Sequence, residues 1–130
     1  TSVLAFVSPL TKSVANDFER HQIQIEFSKQ YKVYVVLKGA HTCITTPTGE
    51  SYFNSTGNSG LAKGGSGDVL TGLITGLLAQ GYTSFEASLI GVYVHGLAGD
   101  MTKEEKGEVA MIPTDVIENI PNAFKRLMNV

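Results

Sequence analysis

Apolar residues in this chain alternate between short runs and helix-spaced stripes. Val3 to Val7 is a short run, read as a strand and broken by Ser8-Pro9. Asn16 to Tyr31 reads as a helix. Val14, Phe18, His21 and Ile25 fall near helical spacing there, and Ile23 and Phe27 widen the apolar face. Glu19, Arg20, Gln24 and Lys29 are assigned to the wet side. Val33-Tyr34-Val35-Val36-Leu37 is almost continuously apolar and rich in β-branched residues. That pattern suits a strand covered on both faces, as in a parallel α/β sheet. Strand, helix and strand in this order predict a βαβ unit with a right-handed crossover. Lys38-Gly39-Ala40 then ends the second strand on the side where open α/β sheets bind ligands.

Thr42 to Thr46 and Ser51 to Phe53 flank Pro47-Thr48-Gly49-Glu50, which predicts a hairpin. A glycine-rich loop, Asn58 to Asp68, follows and runs straight into a helix over Asp68 to Gln80. Val69, Leu70, Leu73, Ile74, Leu77 and Leu78 give that helix a broad apolar face, and Gly81 stops it. Gly72 and Gly76 share one side, where close packing against a neighbour is expected to offset their low helix propensity. Thr83-Ser84-Phe85-Glu86 is a capping box. The helix it opens is apolar nearly all round through Ala98 and is expected to be buried. The charged stretch Asp100 to Val109 reads as an exposed loop. Pro113-Thr114-Asp115 starts a last helical region with Phe124, Leu127 and Met128 on its inner face. Pro121 marks either a kink or the start of a second short helix. The fold class is therefore α/β: a mostly parallel sheet with a β-hairpin and covering helices, in a single domain over residues 1–130.

Composition narrows the function classes. A length of 130 residues fits one domain, and a formal net charge of −2 gives no general electrostatic case for nucleic acid or an anionic membrane. The single cysteine, Cys43, excludes an internal disulfide and suits a reducing, cytoplasmic setting. No apolar run approaches the roughly 20 residues that span a bilayer. The first residues lack a basic leader and read as a strand whose neighbour lies upstream, so the chain is expected to be part of a longer domain.

The loop Gly64-Gly65-Ser66-Gly67-Asp68 carries the chemistry. Glycines let backbone approach a ligand closely, and a helix start offers unpaired N–H groups and positive potential to an anion. A Walker A loop would need Lys after Gly65, and a dinucleotide fingerprint would need Gly at Leu70; neither is present. Asp68 is either a carboxylate stabilising the helix N-terminus or a general base beside a bound phosphate. His41 sits at a strand's carboxyl end and divides evenly between structure and chemistry. His21 reads as a surface or boundary residue, His95 as a hydrogen-bonded core histidine and Cys43 as a small buried hydrophobe. Lys63 divides evenly between steering phosphates and a solvated position. The residues show no protein-only metal site.

Three ordered stretches carry a family resemblance. Asn58 to Gly72 resembles the signature of the ADP/ATP-dependent NAD(P)H-hydrate dehydratases of the ribokinase-like superfamily. Lys38-Gly39-Ala40-His41-Thr42 and Val92 to Asp100 resemble two further signatures of that family. The resemblance implies the carboxy-terminal half of a ribokinase-like domain. It also implies a reaction: phosphorylation of the C6 hydroxyl of hydrated NADH or NADPH by ADP or ATP, then elimination to the reduced cofactor. ADP as donor gives AMP and phosphate. Asp68 would be the catalytic base and touch the hydrated substrate. Gly65 and Gly67 would form the anion hole. Lys38, Gly39, Ala40, His41, Thr42 and Gly67 would bind the nucleotide, with Mg²⁺ accompanying its phosphates. The resemblance further implies a metabolite-repair enzyme, expected in the cytoplasm; the apolar start suggests either a missing partner segment or a chain–chain contact, and a homo-oligomer is expected. Ser59 departs from the proline usual there, and Thr1 to Asn16 lacks the His-Pro-x-Glu-Phe-like segment found upstream in the family. A thiamine-precursor-type kinase matches the glycine loop but fits the other two stretches less well. A non-catalytic nucleotide-binding module is the third reading.

Overall fold

The expected strand–helix–strand unit forms in the computed structural model, which describes residues 2–6, 17–39 and 41–129. β1 (Ser2–Phe6) and β2 (Val33–Leu37) pair in parallel, Ser2 opposite Val33 through Phe6 opposite Leu37, with α1 (Asp17–Tyr31) between them in the chain. β3 (Cys43–Thr45) and β4 (Ser51–Phe53) complete a sheet of order β1-β2-β3-β4. The described sheet is mixed, not mostly parallel, because β2–β3 and β3–β4 are both antiparallel. The reason is the connection. Only residues 38–42 join β2 to β3, and a parallel return needs a crossover of a dozen residues or more. The predicted hairpin is β3–β4; Gly49, at φ +90°, makes its turn, with Thr46 N–H donating to Glu50 O at 2.9 Å.

α1 sits on the sheet by a different face from the one its apolar residues suggest. Gln24 and Ser28 are buried, whereas Phe18 is 72% exposed and Ile23 is also exposed. The Gln24 amide donates to Val35 O at 3.2 Å and Cys43 O at 3.0 Å. The Ser28 hydroxyl pairs with that of Thr45 at 2.5 Å. Buried sheet carbonyls are costly to leave without donors, and the polar side of α1 supplies them.

α2 (Ser66–Ala79) starts two residues earlier than the apolar stripe indicates, so Asp68 lies inside its first turn. Leu70, Ile74 and Leu77 face inward. Gly72 and Gly76 have nothing within 4 Å of where a Cβ would stand, so the expected close packing is absent. They lie on the face of α2 turned away from its buried leucines. α3 (Ser84–Lys106) opens with the capping box: Glu86 N–H donates to Thr83 Oγ1 at 3.1 Å, and Thr83 N–H to Glu86 Oε1 at 3.0 Å. It runs on through most of the stretch read as a loop. Lys103 to Lys106 are good helix formers, and the two lysines complement the negative end of the helix. Thr102, buried, bonds Ala98 O at 2.8 Å and takes the Asn119 amide at 2.9 Å, and Gly107 ends the helix at φ +78°. α4 (Pro113–Met128) is one helix with Pro121 inside it. Its buried residues are Val116, Asn119 and Ala123, flanked by Phe124 and Leu127; Met128 is 80% exposed, beyond the apolar cluster it was expected to join.

α3 is the centre of the packing. One core cluster joins Val36, Ile44, Leu70, Ile74, Leu77, Ala87 and Val92. A second joins Leu61, Val94, Ala98, Met111, Val116 and Ala123, with Ile90 and Phe124 touching both. Among the described residues no helix is long and apolar enough to cross a membrane.

Candidate functional site

The site grows from the way α3 receives the loop before α2. Asn54 donates its amide to Thr56 O at 3.0 Å, Thr56 Oγ1 at 2.9 Å and Val92 O at 3.4 Å. Thr56 donates its hydroxyl to Tyr93 O at 2.9 Å, and a Cβ on Gly96 would collide with Thr56. Gly99 makes the same room for Leu61, whose side chain lies 2.7 Å from where its Cβ would stand. Asp100 completes the contact: Oδ2 accepts Gly57 N–H at 3.0 Å and Oδ1 accepts the Asn58 amide at 2.8 Å. Asn58 Oδ1 in turn accepts Gly60 N–H at 2.9 Å, shaping the 3-10 turn Ser59–Leu61. The stretch Val92 to Asp100 is thus the seat of this loop.

Lys38, at the end of β2, bridges that loop to the glycine segment. Its Nζ donates to Leu61 O at 2.9 Å and Ser66 Oγ at 2.8 Å. Burial holds its pKa below the usual lysine value. Ser66 also lies 3.4 Å from His95 Nε2. Ser66 Oγ thus accepts the Lys38 ammonium and meets the His95 ring. Burial, and then the Lys38 charge, push the pKa of His95 down to about 4, so it is neutral near pH 7. His95 is therefore the hydrogen-bonded core histidine expected of it.

The Lys63 ammonium is held on backbone carbonyls. It donates to Glu108 O at 3.0 Å, Val109 O at 2.9 Å and Met111 O, tying the glycine segment to the chain before α4. Ser59 donates to Glu108 Oε2 at 2.5 Å, and Glu108 pairs with Lys103 at 2.9 Å. The serine that stands where a proline is usual therefore holds the loop by a side-chain bond.

Gly65 caps α2 at φ +95°, a left-handed conformation that favours glycine, and a Cβ there would press on Pro113 at 3.3 Å. Ser66 N–H turns back to Lys63 O at 3.1 Å, and Val69 N–H makes the first helical bond, to Gly65 O at 3.2 Å. The amides of Gly67 and Asp68 thus belong to the helix start, where N–H groups point outward. Gly64 has open space around it, Gly67 is buried and Asp68 is exposed.

Three hollows meet this framework. A cavity of about 440 Å³ is lined by Lys38, Gly39, Thr42, Asn54, Asn58 and His95 among others, within the size range of small-ligand sites. A second, of about 480 Å³, shares Lys38 and Gly39 and adds Arg20, His21, His41 and Cys43. Here His21 bonds Ser51 Oγ at 2.7 Å and meets the Phe53 ring edge-on at 5.4 Å, in keeping with a boundary residue. Burial raises the Cys43 thiol to about 11, leaving it an inert packing group. Asp68 lines neither hollow. It borders a groove of about 380 Å³ between α2 and α4, with Val69, Leu73, Ile117 and Ile120. The expected site residues are thus brought to two sides of the glycine segment: Lys38, Gly39 and Thr42 on one, Asp68 on the other, with His41 in the adjoining hollow. Ala40 lies outside the described residues. Asn54, Thr56, Asn58 and Asp100 went unnoticed in the sequence as site residues. The signal was there in a polar Asn-Ser-Thr-Gly-Asn run and in Gly96, Gly99 and Asp100 recurring within one helix.

Residues 6–122 match the family model described as NAD(P)H-hydrate dehydratase. This chain belongs to the NAD(P)H-hydrate dehydratase family. Over 103 residues it is 47% identical to the bifunctional NAD(P)H-hydrate repair enzyme Nnr of Thermofilum pendens, covering 79% of this chain and 20% of that protein. Over 108 residues it is 35% identical to the ADP-dependent (S)-NAD(P)H-hydrate dehydratase of Bacillus subtilis, covering 83% of this chain and 39% of that one. The crystal structure of the B. subtilis ADP/ATP-dependent NAD(P)H-hydrate dehydratase, co-crystallised with ATP/Mg²⁺, superimposes with a TM-score of 0.77 at 36% identity. It covers 82% of this chain and 39% of the B. subtilis chain. The chain therefore has the ribokinase-like dehydratase fold and spans two fifths or less of these family members.

Proposed function

We propose that this chain is the nucleotide-binding, carboxy-terminal part of a ribokinase-like enzyme that dehydrates hydrated NADH and NADPH at the expense of ADP or ATP. The base and ribose of the nucleotide occupy the cavity of Lys38, Gly39, Thr42, Asn54 and Asn58. Ala40 and His41 belong to the same nucleotide-binding stretch, and the phosphates lie on the amides of Gly64, Gly65 and Gly67. Asp68 faces the hydrated nicotinamide across that loop. It takes the proton of the C6 hydroxyl as the oxygen attacks the terminal phosphoryl group, breaking its bond to the leaving AMP or ADP. The ring nitrogen lone pair then expels phosphate from C6, and loss of a C5 proton restores the ring double bond. Fixed N–H donors at Gly65 and Gly67 stabilise the charge that builds on the transferring group.

The observation that carries this reading is the Lys38 bridge, which fixes the cavity wall at Leu61 to the glycine segment at Ser66. Among the described residues no cluster of His, Cys, Asp or Glu could cage a metal ion. Mg²⁺ would arrive on the nucleotide phosphates with its waters, as it usually does, and neutralise their charge. The same proposal takes the enzyme as cytoplasmic and homo-oligomeric.

The test is recovery of NADH absorbance from hydrated NADH in the protein as the cell makes it, with ADP or ATP supplied. Turnover is expected to depend on the nucleotide and to fall by at least about 100-fold in Asp68→Asn, the usual scale for losing a general base. Unchanged turnover in that variant would remove Asp68 from the chemistry.

A further inference from the structure

We propose that Asp100 is a positioning residue for nucleotide binding, acting through Asn58 on the loop that walls the cavity. The proposal rests on the nucleotide reading above. Asp100 does not line the cavity, whereas Gly57 and Asn58 do. Both of its oxygens are used on them: one on Gly57 N–H at 3.0 Å, the other on the Asn58 amide at 2.8 Å. The chain continues through Asn58 Oδ1 to Gly60 N–H at 2.9 Å, and Gly60 precedes Leu61, whose carbonyl holds Lys38. One carboxylate on α3 thus sets the cavity wall and, through Leu61 and Lys38, the Ser66 end of the glycine segment.

Gly57 stands at φ +106° and has no side chain of its own, so at this residue the wall is held through its backbone N–H. Hydrogen bonds to a charged group are stronger than neutral ones, and a carboxylate is the only side chain that accepts two donors with two equivalent oxygens. An amide at position 100 can serve Gly57 or Asn58 but presents N–H to the other.

Asparagine and aspartate can be exchanged across this pair without losing a bond. In Asn58→Asp with Asp100→Asn, the new amide accepts Gly57 N–H and donates to the new carboxylate. The new carboxylate still accepts Gly60 N–H. The net charge is unchanged.

The experiment is calorimetric titration of the chain with ADP, alongside thermal unfolding of each variant. Asp100→Asn and Asn58→Asp alone are each expected to weaken ADP binding about tenfold, the effect of losing one charge-assisted bond. The double exchange is expected to bind ADP more tightly than Asp100→Asn alone, because it recovers the bonds to Gly57 and across the pair. Glu104→Gln, exposed on the same helix, is the control and leaves affinity unchanged. Wild-type affinity in folded Asp100→Asn would overturn the anchor, as would lowered melting temperature with unaltered affinity. Failure of the double exchange to bind ADP more tightly than Asp100→Asn would overturn it too. If Asp100→Asn does not fold, Asn58→Asp leaves α3 intact and carries the same comparison. A wild-type chain that binds no ADP would instead overturn the nucleotide reading on which the anchor rests.

Discussion

His95 is neutral where an ordinary histidine begins to charge, and that has a consequence for stability. Its folded pKa, about 4, lies below the ordinary 6.5 because burial and the nearby Lys38 ammonium disfavour the imidazolium. The unfolded chain therefore takes up a proton before the folded one does. The contribution is fully present above pH 6.5 and is lost as pH falls through about 4. It amounts to roughly 3 kcal/mol. Urea unfolding from pH 7.5 down to pH ~4.5 should show this loss, and His95→Gln should flatten it. Asp115, Glu86 and Glu108 also have lowered pKa values, from their hydrogen bonds to Lys106, Thr83 and Ser59, but act further into acid, below the usual carboxylate range. Residues of this kind were only half legible in the sequence. Lys38 was placed at a strand end and His95 in a buried helix. Their meeting through Ser66 depends on β2, α2 and α3 converging, which no local pattern encodes.

Helix α3 shows how an element is built to be approached. Gly91, Gly96 and Gly99 admit Ile74, Thr56 and Leu61 in turn. Gly96→Ala should displace Thr56 and the cavity wall with it, lowering both melting temperature and ADP affinity. Gly76→Ala on α2 is the contrast, since nothing lies within 4 Å of it. It should stabilise the chain by up to about 1 kcal/mol in urea unfolding. The glycines of the two helices look alike in sequence, and only tertiary packing separates a receiving glycine from an open one. α1 teaches the same lesson with opposite sign. Its apolar residues were read as the inner face, yet Gln24 and Ser28 face the sheet because Val35 O, Cys43 O and Thr45 need partners there. Gln24→Ala should cost about 1–3 kcal/mol, measured by urea unfolding, for the buried carbonyls it leaves. By contrast the capping box of α3, the β3–β4 hairpin and the continuous apolar β2 were legible at once, since each is written in adjacent residues.

At the scale of the whole molecule, the expected site residues fall in separate hollows. The cavity of Lys38, Thr42 and Asn58 lies on one side, and the groove of Asp68, Ile117 and Ile120 on the other. In the sequence these groups were legible as motifs but not as two sides of one loop. That division follows from α2 starting at Ser66, which turns Asp68 out of the cavity. The family members matched here are about twice as long or longer, so the groove beside Asp68 is proposed as one wall of the substrate site, while the cavity is built from residues of this chain. The central claim is therefore testable on the chain itself, by following its backbone amides by nuclear magnetic resonance as ADP is added. ADP should shift Gly39, Thr42, Gly57 and Asn58 together with Gly64, Gly65 and Gly67, and adenosine should shift the first group alone. Shifts confined to the groove beside Asp68, or none with either ligand, would contradict the account.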